Sequence, residues 1–185
     1  AAVIAGVQLR TLQSRKGELD PAEVENKIRG VDIHYPRTGL ICLENAHSNG
    51  RVIPLDNMER VYSIAKKHAI PVHLDGARLF NAAAHLGVSA DQITQYCDTV
   101  MFCLSKGLCA PVGSIVAGSR VFISKARKGR KLMGGGLRQA GILAAAGLIA
   151  LKEMRLRLKE DHENARLLGQ ELSKLPGFKV YLDDI

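Results

Sequence analysis

Two apolar segments, each followed by a short polar motif, constrain the fold of this 185-residue chain most strongly. Residues 69–72 precede an HLDGAR motif at positions 73–78, and residues 100–104 precede an SKG motif at positions 105–107. Short apolar runs bounded by turn-forming residues are typical of strands buried in a parallel sheet. Asp75 and Lys106 are 31 residues apart, which accommodates one helix and a crossover connection. The spacing therefore predicts parallel strands that carry Asp75 and Lys106 at their carboxyl ends.

Strand-like and helix-like segments alternate along the rest of the chain. The clearest helix start is Asp20-Pro21, where an aspartate in the capping position precedes a proline in the first turn. Further helices are predicted over residues 54–67, 77–85, 119–132 and 139–174, and strands over residues 3–12, 39–43, 112–117 and 180–182. This alternation predicts an α/β fold, a mostly parallel sheet flanked by helices. Ligands of such sheets bind beyond the carboxyl ends of the strands.

The composition indicates a globular chain with its own core, since 46% of its residues are hydrophobic. The length indicates one domain and leaves a division into two open. Four cysteines without a C-x-x-C pair argue against a disulfide framework and a zinc site, so no metal is expected. The longest apolar run, residues 141–151, is too short to span a bilayer. We expect a cytoplasmic protein without a membrane partner, a mitochondrial presequence being the open alternative.

Basic residues dominate one stretch of this chain, whose formal net charge is +8. Residues 120–138 contain seven cations and no acid, and Phe122 is the one aromatic residue among them. Base stacking therefore has little support, and no nucleic-acid partner is expected. These cations fit better beside an anionic cofactor or at a subunit interface.

A lysine and an acid at neighbouring strand ends are what a pyridoxal 5′-phosphate (PLP) enzyme requires. The lysine forms a Schiff base with the cofactor, and the acid pairs with the pyridinium nitrogen. Lys106 and Asp75 fit these two roles, although an ordinary turn and a solvated lysine are the alternative for each residue alone. Arg78 offers a two-pronged donor for a carboxylate. Ser105 is expected to bond a phosphate or to cap its own loop.

Four segments of the chain resemble the low-specificity L-threonine aldolases, which are PLP enzymes of fold type I. The segments are residues 43–47, 71–82, 103–114 and 132–143. The resemblance implies that residues 1–185 form a PLP-binding large domain like that of aspartate aminotransferase. It also implies a phosphate-binding turn before this segment and a small domain after it, starting near residues 175–185. We therefore expect a domain incomplete at both ends, with weak PLP binding on its own, and a homodimer or homotetramer for the whole protein.

The same resemblance implies a reaction and a set of site residues. The reaction is cleavage of L-threonine or L-allo-threonine to glycine and acetaldehyde through a Schiff base on Lys106. Asp75 holds the cofactor ring, and Arg78 contacts the ring or the substrate carboxylate. His34 is expected to approach the substrate and act as the base for its hydroxyl group, with His47 as second candidate. Lys131 and Arg138 are expected to help hold the cofactor phosphate.

The remaining histidines are expected to have structural rather than catalytic roles. His68, His85 and His162 fall on predicted helix surfaces, and no pair among them suggests a metal site. His73 precedes Asp75 by two residues, so both side chains belong to the same face of the strand. His73 is expected to pack or hydrogen-bond beneath the cofactor.

Three other functions remain open from the sequence. An aminotransferase or a β-eliminating lyase would use the same lysine and acid, because fold alone does not fix function. A noncatalytic truncated homologue would serve as an interaction domain. A basic nucleic-acid binder would show binding that weakens steeply with salt.

Overall fold

A computed structural model describes residues 1–182, and its centre is a four-stranded sheet. The strands are β3 (Ile41–Glu44), β4 (Val72–Asp75), β5 (Thr99–Cys103) and β6 (Ser114–Gly118). They lie side by side in this order, in which β3, β4 and β5 are mutually parallel and β6 is antiparallel to β5. The predicted α/β class with a mostly parallel sheet is confirmed.

Helices connect and flank these strands. They are α1 (Ala2–Ala5), α2 (Pro21–Lys27), α3 (Leu55–Lys67), α4 (Leu79–Leu86), α5 (Ala90–Thr94), α6 (Arg120–Leu132), α7 (Gly141–Lys152) and α8 (Leu158–Ser173). Helix α2 begins as predicted, because the Asp20 carboxylate accepts a hydrogen bond from the Ala22 amide at 2.9 Å. In the described part of the chain, no helix combines the length and apolar character needed to cross a membrane.

The main core lies between α3 and one face of the sheet. Met58, Val61 and Ala65 form the buried stripe of α3, and each is 0% exposed. Val72 and Leu74 of β4 are equally buried, and burying each such aliphatic side chain stabilises the fold by about 1.5–3 kcal/mol. Strand side chains alternate between faces. The same alternation therefore directs the residues between and after these two, including Asp75, to the opposite face.

The predicted strand over residues 3–12 is wrong. Residues 2–5 form one helical turn and residues 6–13 have no regular structure. Val3 is 99% exposed and Leu9 is 65% exposed. Apolar residues become a strand only where a neighbour supplies hydrogen bonds and packing. The hairpin of β1 (Ser14–Arg15) and β2 (Glu18–Leu19) that follows was not predicted, nor was α5.

The predicted continuous helix over residues 139–174 is also wrong. It is broken after α7 by a 3₁₀ turn, Met154–Arg157, from which α8 begins. The break lets Ala150 and Leu158, each 1% exposed, pack into one cluster with the loop after β5. The predicted strand over residues 180–182 is wrong as well, because Val180 and Tyr181 have no regular structure.

Candidate active site

The ends of β4 and β5 bring the two predicted motifs together. Asp75 is in register with Met101, and the Gly76 amide donates to the Met101 carbonyl at 2.8 Å. One step further, the Cys103 amide donates to the Ala77 carbonyl at 3.4 Å. The segment that follows Asp75 therefore runs beside the segment that leads to Lys106, as the spacing predicted.

Gly76 is needed for this close approach. A Cβ atom at that position would lie 2.8 Å from the Met101 carbonyl oxygen, which is a clash with backbone. A glycine after Asp75 is therefore required by packing rather than by a turn alone.

The Asp75 carboxylate is oriented by its own turn. Its Oδ1 accepts a hydrogen bond from the Ala77 amide at 3.1 Å, a geometry typical of aspartate-initiated turns. Its Oδ2 has no hydrogen-bond partner within residues 1–182, and the residue is exposed. One oxygen is thus held by backbone and the other is available to a ligand.

Arg78 occupies the residue before α4 and is half-buried. The Leu79 amide donates to the Gly76 carbonyl at 2.7 Å, which tightens the turn between Asp75 and the helix. No ion pair or hydrogen bond involves the Arg78 side chain among the described residues. A guanidinium in this state has its donors free for a carboxylate.

Lys106 lies in a loop with an ordered interior. The Leu104 amide donates to the Gly113 carbonyl, the Ala110 amide to the Leu104 carbonyl, and the Cys109 amide to the Lys106 carbonyl, each at 2.9 Å. Leu104, Leu108 and Ala110 are buried in the same cluster as Ala150 and Leu158. The Lys106 side chain is exposed, and in the described part of the chain it has no ion-pair partner.

His73 lies on the Asp75 face and is hydrogen-bonded there. Its Nδ1 is 2.8 Å from Oγ1 of Thr99 on the neighbouring strand. Burial lowers the pKa of His73, although the negative charge of Asp75 acts in the opposite direction. Its partner in register, Cys42 of β3, has a pKa raised first by burial and then by Asp75. Both neighbours are therefore uncharged near neutral pH.

The two candidate bases lie in different surroundings. His34 sits in an exposed turn where its amide donates to Oδ1 of Asp32 at 2.7 Å. Within residues 1–182 no hydrogen bond or ion pair connects His34 to the two strand ends. His47 follows β3, with its Nε2 3.7 Å from Oε2 of Glu44. Glu44 is the partner of Asp75 in register, so His47, and not His34, belongs to the same sheet edge.

The three other predicted residues are exposed. Ser105 immediately precedes Lys106, Lys131 lies in the last turn of α6, and Arg138 lies in the loop before α7. A cleft of about 370 Å³ is lined by none of the predicted residues; it is bounded by Thr11, Leu12, Gln13, Glu23, Asn26 and Lys27. The roles of these residues toward a phosphate remain predictions.

Sequence reasoning overlooked two buried or half-buried amides near the site. Asn45, which is 0% exposed, donates through Nδ2 to the Ile53 carbonyl at 3.0 Å and accepts from the Ile53 amide at 3.1 Å. Asn81 of α4 contacts His162 of α8. The position of Asn45 directly after an apolar strand is a sequence signal for its role, because buried loop backbone needs hydrogen-bond partners. No local signal identifies the second.

Comparison with known proteins shows relatives over most of this chain. Low-specificity L-threonine aldolase 1 of Arabidopsis thaliana is 46% identical over 182 residues, which cover 96% of this chain and 51% of the plant protein. The chain spans about half the length of the curated relatives that it matches first. The resemblance predicted from the motifs is thereby confirmed.

Solved structures confirm the fold. A threonine aldolase of Leishmania major superposes with a TM-score of 0.73 at 20% identity, over 90% of this chain and 51% of that one. A double mutant of Thermus thermophilus aspartate aminotransferase gives a TM-score of 0.61 at 15% identity, over 86% and 42%. The sequence profile described as β-eliminating lyase matches residues 1–184. Sequence and sheet topology agree, and the chain belongs to the β-eliminating lyase family.

Proposed function

We propose that the protein is a PLP-dependent lyase that cleaves L-threonine and L-allo-threonine to glycine and acetaldehyde. One observation carries this proposal. Asp75 is the last residue of β4 and Lys106 follows the end of the adjacent parallel strand β5, and neither charge is paired within residues 1–182. Unpaired charges at such an edge are typical of a ligand site.

The residues present fit the cofactor. Lys106 offers an exposed amine for covalent attachment, on a loop held by three backbone hydrogen bonds. The available oxygen of Asp75 suits a protonated ring nitrogen. When bound, PLP supplies an electron sink for the bond that breaks. Ser105, Lys131 and Arg138 are the proposed phosphate contacts.

Arg78 has the chemistry to bind the substrate carboxylate. It stands three residues after Asp75 at the start of α4, and its guanidinium has no protein partner among the described residues. A bidentate pair with a carboxylate fixes both position and orientation. Holding the amino acid at this point orients its Cα–Cβ bond relative to the ring, which is the main contribution of the protein to such a reaction.

A base must take the proton from the substrate hydroxyl group. We propose His34 on the resemblance and keep His47 as the competing candidate, because His47 shares the sheet edge with Asp75 through Glu44. A base in either position acts directly or through a water. We further propose a homo-oligomeric cytoplasmic enzyme, in which exposed cations such as Arg138 approach the phosphate of a neighbouring subunit.

Product analysis on the full-length protein tests the proposal. Incubation with PLP and L-threonine should release acetaldehyde and glycine in equal amounts. Keto acid or ammonia as the main product would favour an aminotransferase or a β-eliminating reaction instead. Borohydride reduction followed by peptide mapping should locate the cofactor on Lys106. A protein that neither retains PLP nor cleaves threonine would favour the noncatalytic alternative.

A further inference from the structure

The side-chain amide of Asn81, on the helix that follows the Asp75–Arg78 turn, lies against the loop of Lys106. Asn81 is in the first turn of α4, three residues after Arg78, and Gly107 directly follows Lys106. A Cβ atom on Gly107 would be 2.9 Å from Oδ1 of Asn81 and 3.3 Å from its Nδ2. The amide therefore packs directly against the backbone next to the lysine.

The same amide is anchored to a distant helix. Its Nδ2 lies 3.2 Å from Nε2 of His162, which is half-buried on α8 and 81 residues away along the chain. With the amide nitrogen as donor, Nε2 of His162 accepts this hydrogen bond. Leu158, on the same helix and 1% exposed, would place its Cδ2 3.1 Å from a Cβ on Gly107. Helix α8 thus closes the space around Gly107 from the other side.

We infer that Asn81 and His162 are positioning residues that hold the Lys106 loop against the Asp75–Arg78 turn. Their importance for catalysis rests on the proposed function of Lys106. The contact itself does not depend on that function. Asn81 joins the loop to the start of α4, and His162 fixes which way the amide points. Without this pair the glycine next to Lys106 has space to shift, and a shift of the lysine amine misplaces whatever it carries.

Four variants of the full-length protein test the inference. Asn81→Ala and His162→Ala remove the hydrogen bond, whereas His162→Gln retains a side-chain oxygen that accepts from the Asn81 amide. His85→Ala is the matched control, because His85 is an exposed histidine on α4. If Asn81→Ala fails to fold, His162→Ala supplies the same test. His162 is partly exposed, so its truncation should be tolerated by the fold.

The first measurement is hydrogen exchange in the protein without PLP. The Cys109 and Ala110 amides, which bond within the loop, should exchange faster in both alanine variants than in the parent. The second is the PLP dissociation constant, which should rise about tenfold, together with a shift in the pH at which the lysine-bound cofactor changes its absorbance. The His162→Gln variant should recover most of both effects, and His85→Ala should show neither.

Gly107→Ala gives an independent check on the contact with Asn81. The added methyl group should weaken PLP binding in the parent because it meets Oδ1 of Asn81. In the Asn81→Ala background the same substitution should weaken PLP binding less, since two of the three close atoms, Oδ1 and Nδ2 of Asn81, are gone. Strictly additive effects would overturn the inference.

The outcomes separate this inference from the proposed function. If borohydride fails to label Lys106 in the parent protein, the proposed function is wrong, while faster exchange at Cys109 and Ala110 still supports the positioning pair. If Lys106 is labelled but exchange and absorbance are unchanged in both alanine variants, the pair serves only to join α4 and α8. A lower melting temperature without those changes would lead to the same rejection.

Discussion

The charged side chains at the two edges of the sheet differ in whether they have protein partners. At the amino edge, Asp98 precedes β5, accepts from the Lys66 ammonium through Oδ1 at 2.7 Å, and accepts from the Val72 amide through Oδ2 at 2.8 Å. The Asp98 amide also donates to the Val72 carbonyl at 2.8 Å. At the carboxyl edge, the side chains of Arg78 and Lys106 have no ion-pair partner in the described part of the chain.

This difference separates charges that stabilise the fold from charges that we propose to bind a ligand. Burial raises the pKa of Asp98, but the Lys66 ammonium and the Val72 amide outweigh it and hold that pKa below its usual value. The aspartate is thus committed to joining α3, β4 and β5. Among residues 1–182, the Asp75 carboxylate accepts one hydrogen bond, from the Ala77 amide, and its second oxygen has no hydrogen-bond partner there. Substitutions of Asp98 at the amino edge should therefore change the stability of the fold. Substitutions at the carboxyl edge should instead change the activity.

Lys106→Ala should have the largest effect of all. Removing the amine proposed to carry the cofactor should lower threonine cleavage by about a thousandfold or more, while the melting temperature of the protein without PLP stays close to that of the parent. Assays of acetaldehyde release and thermal unfolding measure both. Lys152→Ala, at the exposed end of α7, is the control. Unchanged cleavage in Lys106→Ala would end the assignment of this lysine.

Asp75→Asn should come next, with kcat reduced by about a hundredfold. The amide keeps the size and the acceptor toward Ala77 but removes the negative charge that a protonated ring nitrogen needs. Some PLP should still bind, which absorbance spectroscopy can quantify. A kcat equal to that of the parent would mean that Asp75 only forms a turn.

His34→Ala and His47→Ala decide between the two candidate bases. Loss of the base should lower kcat by about tenfold or more and alter the preference between L-threonine and L-allo-threonine. Measuring kcat/KM for both diastereomers in both variants identifies it. If His34→Ala leaves both values unchanged and His47→Ala does not, the base lies at the sheet edge beside Glu44.

Arg78→Ala should act mainly on binding. Losing the two-pronged donor should raise KM for both diastereomers by about tenfold, with a smaller change in kcat. Arg78→Lys should recover part of the loss, since an ammonium keeps the charge without the planar geometry. Equal KM values in parent and Arg78→Ala would move the carboxylate site elsewhere.

Asp98→Ala should have no direct effect on catalysis and should lower the free energy of unfolding at pH 7 by about 2 kcal/mol. Because the pKa of Asp98 is lowered in the folded state, its stabilising effect is complete above its unfolded pKa of about 3.9. It is lost as the pH falls through the lower folded-state pKa. Urea unfolding of the full-length protein at pH 7 and at successively lower pH should therefore show a difference from the parent that shrinks as the pH falls below about 4.

Asp56→Ala is the matched control for this prediction. Asp56 forms an exposed pair with Arg60 at 2.9 Å within α3, and such surface pairs contribute little to stability. If Asp56→Ala lowered the free energy of unfolding as much as Asp98→Ala does, the pairing of Asp98 at the amino edge would not explain its effect on stability.

Local chemistry was sufficient to predict several elements correctly. The Asp20-Pro21 start of α2 follows from capping and from the fixed backbone angle of proline, which act within one turn. The predicted helix over residues 54–67 corresponds to α3, and the 31-residue spacing of Asp75 and Lys106 correctly indicated parallel strands ending near both residues. The motifs around these two residues also sufficed to recognise the family.

Long-range packing decided the rest. The antiparallel direction of β6, the break between α7 and α8, and the absence of a strand over residues 3–12 all depend on partners distant in the chain. The contact of Asn81 with His162 depends on α8 turning back over the Lys106 loop, because side chains 81 residues apart share no local pattern. Sequence periodicity identifies which residues share an apolar face of one helix or strand. The hydrogen bonds and close contacts that link distant segments form only once the chain has packed.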